Sequence, residues 1–152
     1  EQSRPGLSLL ALDTRLGVDG LPQSATGQVS LFTGVNAAQL LGYHLPAFPN
    51  GPLKDVIRER SILRRATELG YRATFANAYT PMYFETVSRT NRPMSATTHA
   101  VLGANLPFRW LSDLEKGRAV YWDITNEHLV EQYHLDMPII TPEEAGCHID
   151  VL

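Results

Sequence analysis

Ser61-Ile62-Leu63-Arg64-Arg65-Ala66-Thr67-Glu68-Leu69-Gly70, running directly into Tyr71-Arg72-Ala73-Thr74-Phe75-Ala76-Asn77-Ala78-Tyr79, is the stretch that sets the fold class. Ile62, Leu63, Ala66 and Leu69 recur at helical spacing behind a serine placed to start a helix. Gly70 sits where such a helix stops, because glycine enters the left-handed region at little steric cost. Residues 71–79 carry aromatic, threonine and alanine side chains with no breaker and read as a strand. A helix that ends on glycine and passes at once into a strand is the joint of an α/β unit.

Reading backward, Leu53, Val56 and Ile57 open another helical pattern, which Ser61 restarts. Before it, residues 43–52 hold Pro46, Pro49 and Pro52 and read as a loop. Val29, Leu31, Phe32 and Val35 are spaced as one helix face, with Gly34 or Gly42 as the stop. Asp13–Gly20 reads as a loop. Leu7–Leu12 is a short apolar run that fits a buried strand by length. Residues 7–79 thus read as strand, helix, helix, strand, and predict an α/β fold with a partial parallel sheet and flanking helices.

Reading forward, Pro81, Pro93, Pro107 and Pro138 divide residues 80–140 into short pieces. Ser95–Leu102, Leu111–Lys116 and Glu127–Tyr133 read as short helices and Ala119–Ile124 as a short strand. This stretch reads as a small mixed α+β cap inserted into the core, against the alternative of one irregular domain. Thr141-Pro142-Glu143-Glu144 then announces a helix: a capping threonine, proline at the first position and glutamate at the third. The expected organisation is a core at 1–79, a cap at 80–140 and a helix returning to the core at 141–152. A helix announced so clearly and followed for so few residues reads as part of a longer protein, against the simpler reading of a terminal helix.

Composition excludes several classes. The 152 residues carry 43% apolar and 19% charged side chains, the balance of a globular chain rather than a disordered one. Cys147 is the only cysteine, so neither an internal disulfide nor a zinc-finger site can form. A net charge of −3 argues against a module held to nucleic acid by phosphate contacts. No apolar run approaches the ~20 residues of a membrane span, and no signal-peptide pattern is present. The expectation is a cytoplasmic protein without nucleic-acid or membrane partners.

The candidate site is Gln23-Ser24-Ala25-Thr26-Gly27-Gln28, at a predicted helix start. The first amides of a helix lack internal partners and the macrodipole is positive there, so the place suits a phosphate or another anion. A hydroxyl beside those amides becomes a nucleophile when a base or a metal activates it. The competing reading is that Ser24 and Thr26 only cap the helix within a non-catalytic binding or structural domain.

Leu21-Pro22-Gln23-Ser24-Ala25-Thr26-Gly27-Gln28, with Leu31-Phe32-Thr33-Gly34-Val35-Asn36-Ala37 after it, resembles the nucleophile segment of the alkaline phosphatase superfamily. It looks closest to metalloenzyme-domain proteins related to cofactor-independent phosphoglycerate mutase. In those mutases the catalytic serine lies in Asn-Ser-Glu-Val-Gly-His. By similarity Gln23 stands for the asparagine, Ser24 for the serine, Gly27 for the glycine and Gln28 for the histidine. The resemblance implies phosphatase- or phosphomutase-like chemistry on a small phosphorylated or sulfated substrate, with Ser24 forming a phosphoserine. It also implies two divalent ions, manganese or zinc, one of them touched by Ser24. The family draws the other ion ligands from a first strand and a C-terminal half, neither recognisable here. The 152 residues alone are therefore expected to bind no ions and to turn nothing over, and the rest of the parent chain counts as a partner. Thr26 is the second-choice nucleophile, and Gln23, Gln28 and Asn36 are candidates for orienting the substrate anion.

Other constellations are weaker. His44, His99, His128, His134 and His148 include no pair at the i, i+4 spacing of a helical metal site. Asp13 and Asp19 read as turn formers. Ser24 lacks the flanking glycines of a hydrolase elbow, and no phosphate-cradling glycine loop is present. Arg58, Arg60, Arg64 and Arg65 alternate with acids as a solvated helix face would. Tyr79, Tyr83, Phe84, Phe108, Trp110, Tyr121 and Trp122 read as a small hydrophobic core, with a substrate mouth as the competing use. A further reading is that surfaces meant for absent strands stay apolar, so that the chain associates with itself.

Overall fold

The computed structural model describes the backbone of residues 2–4 and all of residues 6–152. It is a mixed α/β structure in which helices dominate and the parallel sheet is small. The chain runs β1 (Gln2–Arg4), β2 (Leu7–Leu9), α1 (Ser24–Thr33), α2 (Ala37–Leu41), α3 (Gly51–Arg60), α4 (Ile62–Glu68) and β3 (Ala78–Tyr79). It continues through α5 (Pro81–Thr90), α6 (Ala96–Gly103), β4 (Arg109–Trp110), α7 (Leu111–Leu114), α8 (Glu127–Glu131) and α9 (Pro142–Asp150).

The helix boundaries follow side-chain chemistry. Both proposed glycine stops are used: α1 ends on Gly34 and α2 on Gly42, each in the left-handed region. Ser61 separates α3 from α4, and its buried hydroxyl accepts the Arg64 N–H at 3.3 Å. Past α4, Gly70 at φ 80 lets the chain turn back. There the Tyr71 N–H reaches the Ala66 carbonyl at 2.9 Å and the Gly70 N–H reaches Thr67 at 3.0 Å. Those two bonds satisfy carbonyls that a helix end leaves orphaned. Thr141 forms the expected reciprocal box with Glu144, at 3.2 Å and 2.8 Å.

Three strand expectations are corrected. Leu7–Leu12 is not a buried strand of a parallel sheet. Only Leu7–Leu9 is extended, it pairs antiparallel with β1, and Leu7, Leu9, Leu10 and Leu12 are exposed. Of Tyr71–Tyr79, only Ala78–Tyr79 forms a strand, parallel to β4, with Asn77 bridged to Val120. Ala119–Ile124 contributes that single bridge before Asp123 bends the chain by accepting the Asn126 and His128 N–H groups at 3.2 Å and 2.7 Å. The cause is common to all three: β-propensity becomes a ladder only where a partner strand lies alongside.

Two cores hold the described residues together. Val29, Ala37, Leu53, Ile57, Ala96 and Ala100 form one between α1, α2, α3 and α6. Ala78, Leu114, Ala119, Tyr121 and Leu129 form the other beneath the small sheet. The first joins α6 to helices from the N-terminal half, while the second gathers residues of β3, α7, α8 and the segment around Ala119–Tyr121. Leu129 is fully buried, so Leu129→Ala is expected to cost about 2–4 kcal/mol. Urea unfolding measures this; a loss under about 1 kcal/mol would mean that the second core collapses around the truncation.

Candidate functional site

Ser24 is the first residue of α1, and the capping position belongs to Gln23, whose extended backbone carries no side-chain cap. Neither hydroxyl of the candidate segment therefore serves as the helix N-cap. Thr26 is fully buried and donates to the Gln23 carbonyl at 3.2 Å. It closes the first turn and does not face solvent. Ser24 is exposed, and its Oγ accepts the Ala47 N–H at 2.8 Å. That bond fixes the oxygen while leaving its own proton free to be donated.

The proline-rich loop, residues 43–50, lies over this helix end. The Leu45 carbonyl accepts from the Ala25 N–H at 3.1 Å and the Thr26 N–H at 3.4 Å. Two of the orphan amides that would draw an anion are thus already satisfied within the chain. The same loop is tied to the preceding one where the His44 Nε2 meets the Val18 carbonyl at 3.2 Å. Sequence reading recognised the loop by its prolines but could not tell that it folds back onto α1.

The anion-orienting candidates divide by position. Gln23 precedes α1 at the capping position, and the half-buried Gln28 lies in its second turn, four residues beyond Ser24 and so on its side of the helix. Asn36 lies past the opposite end, about 15 Å away along a ten-residue helix. Its Oδ1 accepts the Gln39 N–H at 3.0 Å and its Nδ2 donates to the Leu16 carbonyl at 2.8 Å, so it caps α2 and anchors the first loop. Asp13 accepts the Arg15 N–H at 3.0 Å, as a turn former does. Beside α1, Leu12, Asp13, Leu16, Pro22, Gly27 and Leu31 contribute to a mainly apolar cavity of about 380 Å³.

The donor set decides what these residues can hold. Among the described residues, no three His, Cys, Asp or Glu side chains converge into a metal site. The residues present do not fit a two-ion centre by themselves, with Ser24 their one candidate ligand. No helix among the described residues is long and apolar enough to cross a membrane.

In a second region, the aromatic group singled out in the sequence is joined by polar partners on α6 that its spacing does not reveal. Tyr79 and Tyr83 both reach Thr98 Oγ1, at 3.2 Å and 2.8 Å, and the Tyr83 hydroxyl also accepts the Ser95 N–H at 3.1 Å. Burial pushes the Tyr79 hydroxyl above the usual phenol range. The signal was available in Thr80-Pro81, which starts α5 just as Thr141-Pro142 starts α9. No family model, curated protein or solved structure matches the chain.

Proposed function

We propose that the chain carries the nucleophile of a metal-dependent phosphoryl-transfer enzyme, with Ser24 as the attacking residue and a small phosphate or sulfate ester as substrate. One observation supports it above the others: Ser24 Oγ is exposed on the first turn of α1, held by the Ala47 N–H and not used as a cap. In this reading the fold is the partial core of an alkaline-phosphatase-like enzyme with a cap, working in the cytoplasm. Ser24 Oγ forms the new bond to phosphorus as the bond to the leaving oxygen breaks, and the serine proton passes to that oxygen. Water then cleaves the phosphoserine, releasing phosphate and restoring the hydroxyl. The first-turn position of Ser24 adds a favourable dipole for the incoming anion. Gln23 and Gln28 lie beside it, and Thr26 holds the turn. The ligands of the two divalent ions, manganese or zinc, belong in this reading to the rest of the full-length protein.

The second reading is a non-catalytic α/β domain, favoured by the Leu45 carbonyl that occupies two of the helix-start amides. Manganese-dependent phosphate release by the full-length protein, compared with Ser24→Ala, separates the two. The serine reading expects a loss of about 10³-fold or more, as for other removed nucleophiles. Activity within tenfold of wild type would assign the chemistry elsewhere. Absence of release from any phosphate or sulfate ester by the folded, manganese-loaded protein would favour the binding domain. The 152-residue chain alone is expected to be inactive, and turnover by it would contradict the outside ligands.

A further inference from the structure

The carboxyl ends of the parallel strands open onto a second cleft, lined by residues other than those of the Ser24 segment. Thr80 and Tyr83 follow β3, and Tyr121 and Trp122 follow the Val120 bridge. All four line one cavity of about 320 Å³, completed by Tyr133, Met82 and Arg92 among others. In parallel sheets such a crevice beyond the strand ends is the recurrent place for a ligand. Its volume falls in the range that accommodates small organic molecules.

The walls are aromatic and partly open. Trp122 is 60% exposed, yet it is braced edge-on by the His128 ring at 4.8 Å. Tyr121 is buried behind it, which fixes the shelf in place. A large exposed indole held by its neighbours is a stacking surface rather than core material. Among the described residues, Arg92 is the cleft's cationic lining group. The Arg92 guanidinium lies over the Phe48 ring at 5.1 Å and forms no ion pair with a carboxylate among the described residues. Stacking leaves its N–H edges free for an anion, which a guanidinium can grip with two parallel bonds.

Arg92 also connects the cleft to Ser24. Phe48, under the guanidinium, directly follows Ala47, whose N–H holds Ser24 Oγ. One step of the folded-back loop thus touches both the nucleophile and the cation.

We propose that this cleft binds the ring portion of a ring-bearing phosphate monoester, stacking it on Trp122 and receiving its anion at Arg92. The assignment deepens the serine reading by naming a substrate class, and rests on that reading for the choice of phosphate as the anion.

Phenyl phosphate titrated into the full-length Ser24→Ala protein tests it, followed by the indole N–H resonances of Trp122 and Trp110. A saturable shift at Trp122 is expected, with phenol and inorganic phosphate each at least tenfold weaker. Arg92→Leu and Trp122→Ala should each weaken phenyl phosphate at least tenfold while the circular dichroism stays unchanged. Phenol binding as tightly as phenyl phosphate would overturn the role of Arg92. Inorganic phosphate binding as tightly would overturn the role of the aromatic shelf, and no saturation at all would overturn the cleft. Because binding is read without Ser24, these outcomes stand apart from phosphate release. Release without cleft binding refutes the cleft alone, and cleft binding without release refutes the serine chemistry alone.

Discussion

Gly103→Ala is expected to destabilise the protein by about 2 kcal/mol, although alanine is the better helix former. A Cβ placed at Gly103 would run into the Arg58 carbonyl oxygen and meet its Cα at 2.5 Å and its carbonyl carbon at 2.8 Å. These atoms are backbone of α3 and cannot swing aside as a side-chain tip would. Ala96, Ala100 and Gly103 recur at i, i+4 and i+7 on α6, the spacing of one helix face. The two alanines are buried in the same core as Leu53 and Ile57 of α3. Small residues let the two helices approach, and one added methyl must push them apart or bend α3. Propensity alone would gain about 1 kcal/mol, so the sign of the result decides which effect wins. Gly146→Ala in α9 is the control. Its Cβ meets nothing within 4 Å, so it should stabilise by up to about 1 kcal/mol. Urea midpoints measure both, and a Gly103→Ala protein as stable as wild type would refute the close crossing.

The local signals that carry their own partner were readable in the sequence. Gly34, Gly42 and Gly70 end helical stretches, Ser61 and Thr141 begin helices, and each acts within a few residues of its position. Strand-like composition extends beyond the strands that form, because a strand needs a neighbour. Residues 71–76 have strand-like composition but no ladder beside them, and Leu7–Leu9 has only its own hairpin. At the candidate site, the local pattern offers Ser24 and Thr26 alike, and only the family resemblance puts Ser24 first. In the structure they differ by burial and by the fold-back of residues 43–50, a contact between positions 23 residues apart. Asn36 looked similar by proximity in sequence, yet one helix length carries it to the other end of α1. The aromatic residues of 79–122 were visible as a group. Their division between a packed cluster around Tyr79 and Phe108 and the open shelf at Trp122 depends on parallel pairing that no periodicity announces.

The α3–α6 crossing has an electrostatic consequence, which makes acid sensitivity the other large expected effect. His99 lies on α6 between Ala96 and Ala100, is 3% exposed, and has no hydrogen-bond partner at either ring nitrogen. Burial disfavours the imidazolium, and Arg58 and Lys54 of α3 repel it further, so its pKa falls to about 4 from 6.5. The folded state therefore refuses a proton that the unfolded chain accepts. Above pH 6.5 both states hold a neutral ring and the stability is fully present. As pH falls from 6.5 toward 4, the unfolded state binds more protons and stability declines, approaching a loss of about 3 kcal/mol. Ordinary carboxylates titrate mainly at the bottom of this window, so the upper half, between about pH 6.5 and 5, belongs to histidines. His99→Leu removes the titrating group and keeps an apolar side chain in its place. Unfolding free energies at pH 7.5 and 5 should fall by about 2 kcal/mol more in the wild type than in the variant. Parallel losses in the two proteins would mean that His99 takes up its proton in the folded state, and that the face between α3 and α6 admits water.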